Sequence, residues 1–211
     1  MKTITTNFIK RNFKDIQIIE SKYKSFDGVA DIEQIHYNCF ISFAINQNYY
    51  NRAIKNKNIG AIITNNETYN ESKYSDKTII ISHEPKVFFA NLHNYIFNFT
   101  KFYNKYECRD YFIDKTATIS PTSIISNYVS IGKNSVIKDR VIIKRGSIIG
   151  NNVEIREGSI IGPEISAEVV KNNEFISLKH DSYVKIGDNT KIGVGTTIAR
   201  GCLGKPTEID S

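Results

Sequence analysis

Tryptophan is absent from this 211-residue chain and methionine occurs once. Cysteine is scarce as well: Cys39, Cys108 and Cys202 are odd in number, far apart, and lack the short paired spacing of a zinc site. A disulfide framework and a structural zinc module are therefore excluded, no metal is expected, and a reducing compartment fits. No apolar run approaches the roughly 18 residues that a membrane helix needs. The first residues, from Met1 to Phe13, contain no apolar core long enough for a signal peptide. The expected location is the cytoplasm. The net charge is +6, but the lysines are spread evenly with no basic run, so nucleic-acid binding is not expected. The surplus suits an acidic partner or a pyrophosphate drawn to a local basic patch.

Isoleucine, by contrast, is abundant and periodic. It falls on every sixth residue at Ile113, Ile119, Ile125, Ile131, Ile137, Ile143, Ile149, Ile155 and Ile161. A second column of small or β-branched residues runs four places behind it, through Ala117, Ser123, Val129, Ser135, Val141, Ser147, Val153 and Ser159. A period of six is neither helical nor a plain strand alternation, and it marks a repeat. The physical reading is a left-handed parallel β-helix with three flat sides, one hexad to a side, each Ile pointing inward and the small residue at the corner. Three hexads make a turn, so Ile113, Ile131 and Ile149 stack, as do Ile119, Ile137 and Ile155. Gly132, Gly150 and Gly162 directly follow their Ile, where a tight corner favours a residue without a Cβ. The period lapses over residues 163–182, which read as a loop put out from a rigid scaffold, and resumes at Ile186, Ile192 and Ile198 with Thr190, Thr196 and Cys202 behind.

Residues 1–105 carry no hexads and read as a separate α+β domain, with 106–211 forming the β-helix. Strands are expected at Ile16 to Glu20, Phe40 to Ile45, Gly60 to Thr64 and Thr78 to Ser82, with a turn near Gly28. A short helix is expected to follow a turn at Asn46, and a second to run from Glu84 to Phe97. Ser82 is the expected cap of that second helix, and Val87, Ala90, Asn91 and Tyr95 its packing face. Glu67 to Lys77 reads as a loop and Thr100 to Asp110 as the linker into the coil.

These segments carry a resemblance. Gly28-Val-Ala-Asp-Ile, Ile41-Ser-Phe-Ala-Ile-Asn-Gln-Asn-Tyr, Gly60-Ala-Ile-Ile-Thr and Glu84-Pro-Lys-Val-Phe-Phe-Ala-Asn-Leu resemble the uridine-binding domain of the UDP-3-O-acylglucosamine N-acyltransferases of lipid A assembly. Phe112-Ile-Asp-Lys-Thr-Ala-Thr-Ile resembles that family's entry to the β-helix, and the stretch from Val184 to Gly204 its signature. The resemblance implies transfer of an acyl chain from acyl carrier protein, as a phosphopantetheine thioester, to the amino group of a UDP-linked amino sugar. It also implies a homotrimer with active sites between neighbouring coils, and no tightly bound cofactor. Two features depart from the family. Its coil continues past the Arg-Gly step to a catalytic histidine in an Ala-His-Asn context and then to helices that contact the carrier protein, whereas this sequence ends at Ser211. The Gly-Phe-Gly element usual in the 163–182 loop is also missing. An acetyl-CoA-dependent sugar O- or N-acetyltransferase, taking acyl-CoA as co-substrate, is the alternative. A truncated or non-catalytic nucleotide-sugar-binding relative is the third.

By the resemblance, Phe43, Asn46 and Tyr49 hold the uracil ring. The chemistry agrees: a carboxamide offers both donor and acceptor to the imide edge, and two aromatic rings can sandwich the base. Phe43 shares a strand face with Ile41 and Ile45, so it is equally a core candidate, and Asn46 and Tyr49 suit an ordinary turn before a helix. Acyl transfer from a thioester needs a base and an oxyanion donor. Histidine is the usual base, and there are four: His36, His83, His93 and His180. His36 and His93 have no obvious partner, and His83 sits beside the Ser82 cap. His180, next to Asp181 where the hexads are about to resume, is the candidate, as a substitute for the family's own histidine. A loop histidine can equally be merely solvated.

Overall fold

A computed structural model describes residues 3–34, 37–69, 76–103 and 111–211. His36, Cys108, the 105/106 domain boundary and parts of the two expected loops lie outside the described residues. The chain divides into two compact units, Met1–Tyr103 with Ala167–Lys179, and Asn104–Ser166 with His180–Ser211.

In the first unit, β1 (Ile4–Thr5) leads into α1 (Thr6–Asn12), a helix with no counterpart in the sequence reading. Thr5 caps it by accepting the Phe8 N–H at 3.1 Å. Strands β2 (Gln17–Ile19), β3 (Ser25–Phe26), β4 (Gly28–Val29), β5 (Phe40–Phe43), β6 (Ile59–Thr64) and β7 (Thr78–Ile81) follow, with α2 (Gln47–Lys55) between β5 and β6 and α3 (Pro85–Phe99) after β7. The five-stranded sheet runs β2-β7-β6-β5-β4, parallel except for β2. Every residue of β6 and β7 is buried, as expected of central parallel strands covered on both faces. Gly28, expected in a turn, is instead in an edge strand, where a Cβ would sit 2.3 Å from the Tyr37 ring. In β5 the expected alternation fails: Phe40, Ile41 and Ser42 are all buried while Ile45 is 48% exposed.

Helix α3 begins at Pro85, and its N-cap, Glu84, makes no side-chain bond. Ser82 does not cap it; its Oγ accepts only the Glu84 N–H, at 3.4 Å. The buried stripe is Pro85, Phe89, Leu92 and Ile96, widened by Val87, Phe88, Ala90 and His93. Asn91 is exposed and Tyr95 half-buried, so the expected face was rotated. The reason is that this helix is covered well beyond one stripe. Part of that cover comes from the 163–182 segment, which contains an antiparallel hairpin, Glu168–Lys171 with Glu174–Ser177. Its turn residues Asn172 and Asn173 both have positive φ, 48° and 64°, the requirement of a type I′ turn. Val169, Ile176 and Leu178 pack on Val87 and Ala90 of α3. Asn94 ties the two together, donating to Ser177 O at 2.8 Å and accepting the Lys179 N–H at 2.9 Å.

Lys77 is only 5% exposed, and its ammonium donates to the Asn56 and Ile59 carbonyls at 2.7 and 2.6 Å. Burial pulls its pKa below the ordinary 10.5, opposed by Asp76. A lysine with a depressed folded pKa binds fewer protons folded than unfolded. Stability therefore rises with pH between the lowered value and about 10.5. The stability of wild type relative to Lys77→Met is expected to increase from pH 8 to pH 10.5, read from unfolding midpoints. A difference that stays flat or shrinks would contradict the charged burial.

In the second unit the isoleucine columns pair as the period requires. Ile119, Ile137, Ile155 and Ile192 are Cα partners in one sheet. Ile125, Ile143, Ile161 and Ile198 are partners in the next. Ile131, Ile149, Ile186 and Ile209 form the third, with Ile113 bridged to Ile131. These are the three sides of a left-handed parallel β-helix. The inward isoleucines and Val129, Val141 and Val153 form one core, each buried side chain worth about 1.5–3 kcal/mol.

The corners differ in detail from expectation. Of the glycines that follow an Ile, Gly162 is left-handed, with φ 76°, as a tight corner requires, whereas Gly132 and Gly150 are not. Elsewhere the left-handed residue is the one just before the small residue, at Tyr128, Asn134, Arg140, Gly146, Asn152, Gly158, Asn189 and Gly195, with φ between 55° and 82°. Asparagine and glycine tolerate that region best. Gly132 and Gly150 are required instead by close approach of the next coil: a Cβ on Gly132 would fall 2.6 Å from Gly150 O, and one on Gly150 2.4 Å from Asp188 Oδ1. The small-residue column does more than fit. Ser135 Oγ donates to Gly150 O and accepts the Val153 N–H, and Ser159 Oγ bonds Gly193 O and the Thr196 N–H in the same way. Buried serines thus staple successive coils.

Candidate active site

In parallel α/β sheets, ligands sit outside the carboxyl ends of the strands. At the ends of β4 and β5 the first unit has a cleft of about 220 Å³ lined by Asp31, Ile32, Phe43, Ile45, Tyr49 and Lys86. Sequence placed Phe43 and Tyr49 together, and the fold does too: Phe43 closes β5, and Tyr49 lies in the first turn of α2. Both carry further contacts. The Phe43 ring packs on Phe89 with centroids 4.6 Å apart, so one of its faces belongs to the core. Tyr49 is 40% exposed and stacks under the Arg52 guanidinium at 5.5 Å, while Arg52 is paired with Glu33 at 2.6 Å.

Asn46 stands apart from the lining. It is exposed, and its Oδ1 accepts the Tyr49 N–H at 3.1 Å as the N-cap of α2. The expected donor-plus-acceptor edge is thereby halved: the carboxamide oxygen is committed to the helix, and only the N–H₂ end is left for a ligand. Sequence reasoning missed Asp31 and Lys86. Their signal was positional: one follows the carboxyl end of a strand, the other sits in the first turn of a helix whose start has no side-chain cap. Asp31 Oδ1 accepts the Glu33 N–H at 2.9 Å.

The histidines separate clearly. His83 is exposed and lines a different cleft of about 290 Å³ with Asp15, Gln17, Asn65, Asn66 and Glu67. His93, expected to lack a partner, is fully buried in a satisfied network: Nδ1 with the Tyr103 hydroxyl at 3.0 Å and Nε2 with Lys179 O at 2.7 Å. That commits both ring nitrogens to structure. His180 is not the solvated loop residue that its position suggested. It is 4% exposed, and its buried Nδ1 has no hydrogen-bond partner among the described residues. The Asp181 carboxylate accepts the Gly204 N–H at 3.0 and 3.1 Å, which pins the turn after the coil corner. Ser182 Oγ is likewise buried and unpartnered. Two unsatisfied polar atoms in three residues are unusual in a native interior.

Burial raises the Cys39 thiol pKa, with Asp27 adding to the effect. Among the described residues no helix is long and apolar enough to cross a membrane.

Comparison with curated proteins returns no match. Residues 122–157 match the family model described as bacterial transferase hexapeptide (six repeats), so the coil carries the repeat of a transferase family whose members are generally acyl- and acetyltransferases.

Proposed function

We propose that this protein transfers an acyl group from a thioester to the amino group of a UDP-linked amino sugar. The cleft lined by Phe43, Tyr49, Asp31 and Lys86 carries the reading, because it joins an aromatic base platform to a carboxylate and an ammonium at strand ends. The transferase repeat in the coil supports acyl transfer as the chemistry. Uracil stacks against Tyr49 and the free face of Phe43. The Asn46 N–H₂ donates to a uracil carbonyl, Asp31 accepts from the imide N–H or a ribose hydroxyl, and Lys86 meets the diphosphate. His180, with an uncommitted ring nitrogen, takes the proton from the attacking amine. The donor is an acyl carrier protein thioester, and three copies assemble around the coil axis.

Titration with a UDP-amino sugar tests the binding step. Asn46→Asp keeps the capping oxygen but replaces the amide donor by an acceptor, so it is expected to weaken binding by about 1–3 kcal/mol with the fold intact. Tyr49→Ala loses stacking and is expected to weaken it as well, whereas His83→Ala is expected to bind as wild type does. Equal affinity for wild type and Asn46→Asp would remove the uridine site. Turnover with acetyl-CoA but not with acyl carrier protein thioesters would move the reading to a sugar acetyltransferase.

A further inference from the structure

The corner that follows the Ile125–Ile143–Ile161–Ile198 column carries a cleft. Ser126, Lys144 and Gly162 stand one above another there, each donating its N–H to the next coil at Ile143 O, Ile161 O and Ile198 O over 2.7–2.9 Å. The main chain of this corner is therefore rigid and its side chains are free to differ. Lys144 is exposed. Gly162 has a φ of 76°, and a Cβ there would come within 2.6 Å of Ser147 Oγ and 3.5 Å of Lys144 Cβ. With no side chain, Gly162 leaves the corner open, and a cleft of about 330 Å³ results, lined by these residues with Arg145, Glu164 and Arg200.

Arg200 is what makes the cleft a built feature. Its Nε donates to Gly162 O at 3.0 Å and its Nη2 donates to Arg145 O. The guanidinium is held in one orientation, half-buried, with its remaining N–H groups unassigned to any partner among the described residues. Burial lowers its pKa, Glu164 raises it, and the nearby Arg145 lowers it again, so the Arg200 guanidinium senses both neighbouring charges. Lys144 and Arg200 line the cleft with one carboxylate, Glu164, among the described residues, so these groups leave a positive excess. A planar fork fixed by backbone carbonyls beside a flexible ammonium suits the several oxygens of a phosphoryl group.

We propose that this corner binds the phosphoryl group of a small-molecule ligand, with Arg200 as the fixed anchor and Lys144 as the flexible one. The cleft is formed by the coil alone and is independent of the uridine reading. A nucleoside diphosphate and the phosphate-bearing end of coenzyme A present the same chemistry to it.

Isothermal titration of the full chain with inorganic pyrophosphate, UDP and coenzyme A, each at low and high salt, distinguishes them. Pyrophosphate has no base to stack in the uridine cleft, and the Lys144→Gln comparison reports the corner apart from Lys86. It is expected to bind wild type, more weakly as salt rises, and to lose about tenfold in affinity in Lys144→Gln and more in Arg200→Gln. UDP or coenzyme A, whichever loses affinity in parallel with pyrophosphate, is the source of the phosphoryl group. Arg200→Gln also removes bonds to two carbonyls, so circular dichroism accompanies it; Lys144→Gln touches only an exposed side chain, and its result stands alone. Failure of pyrophosphate to bind wild type, or equal affinity for wild type and Lys144→Gln, overturns the proposal.

Discussion

Replacing Ile143 by alanine is expected to lower the stability of the coil by about 2–5 kcal/mol, through lost burial plus the cavity left behind. Ile143 has no exposed surface, and its Cα partners are Ile125 on one side and Ile161 on the other. The hole would open in the middle of a column whose neighbours cannot close on it, because each is fixed by the main-chain ladder of its own coil. Ile142 is the control. It is the same residue in the same strand, but it points the other way and is half-buried. Ile142→Ala is expected to cost clearly less, read as the shift of the denaturant midpoint. Equal losses at the two positions would mean that the inward register has been assigned to the wrong residue.

His180→Gln is expected to reduce turnover by about 10²–10⁴-fold, the usual contribution of a positioned general base. The proposed nucleotide cleft is lined by other residues, so the loss is expected in kcat, with affinity for the UDP-amino sugar unchanged. Glutamine retains a polar group of similar size at a buried position and limits the structural penalty that alanine would add. Folding is checked by the unfolding midpoint alongside. Unchanged turnover in a folded His180→Gln protein would remove His180 from the chemistry and leave its buried, unpartnered Nδ1 as a purely structural feature.

The two units were legible to different degrees, for a physical reason. The coil repeats one environment every six residues, so the same residue types recur and the strand partners can be read from numbering alone. Ile119 with Ile137 and Ile125 with Ile143 are examples. The register even survives the insertion: Ile149 pairs with Ile186 across 163–182 as it would have paired without it. In the first unit, β6 and β7 were legible because strands covered on both faces are continuously apolar. The α3 face was not, since eight side chains around that helix are buried. The hairpin that supplies some of that cover was signalled by Asn172-Asn173 between the apolar pairs Val169-Val170 and Phe175-Ile176, which lie outside the six-residue period.

The site divides in the same way. That Phe43 and Tyr49 face one cleft follows from a strand end and a helix start close together in sequence, and local spacing carries such information. That Asn46 spends its oxygen on capping α2, that His93 is bound at both nitrogens by Tyr103 and Lys179, and that His180 is buried instead of solvated could not be read locally. Each depends on groups brought in from distant parts of the chain or on the geometry of a helix end. Sequence by itself determined the β-helix, its register and its inward columns, because a short period encodes a repeated environment. Tertiary structure alone decided which polar groups are already satisfied, and so which remain free for a ligand, because hydrogen-bond partners are chosen by proximity in space and not by spacing along the chain.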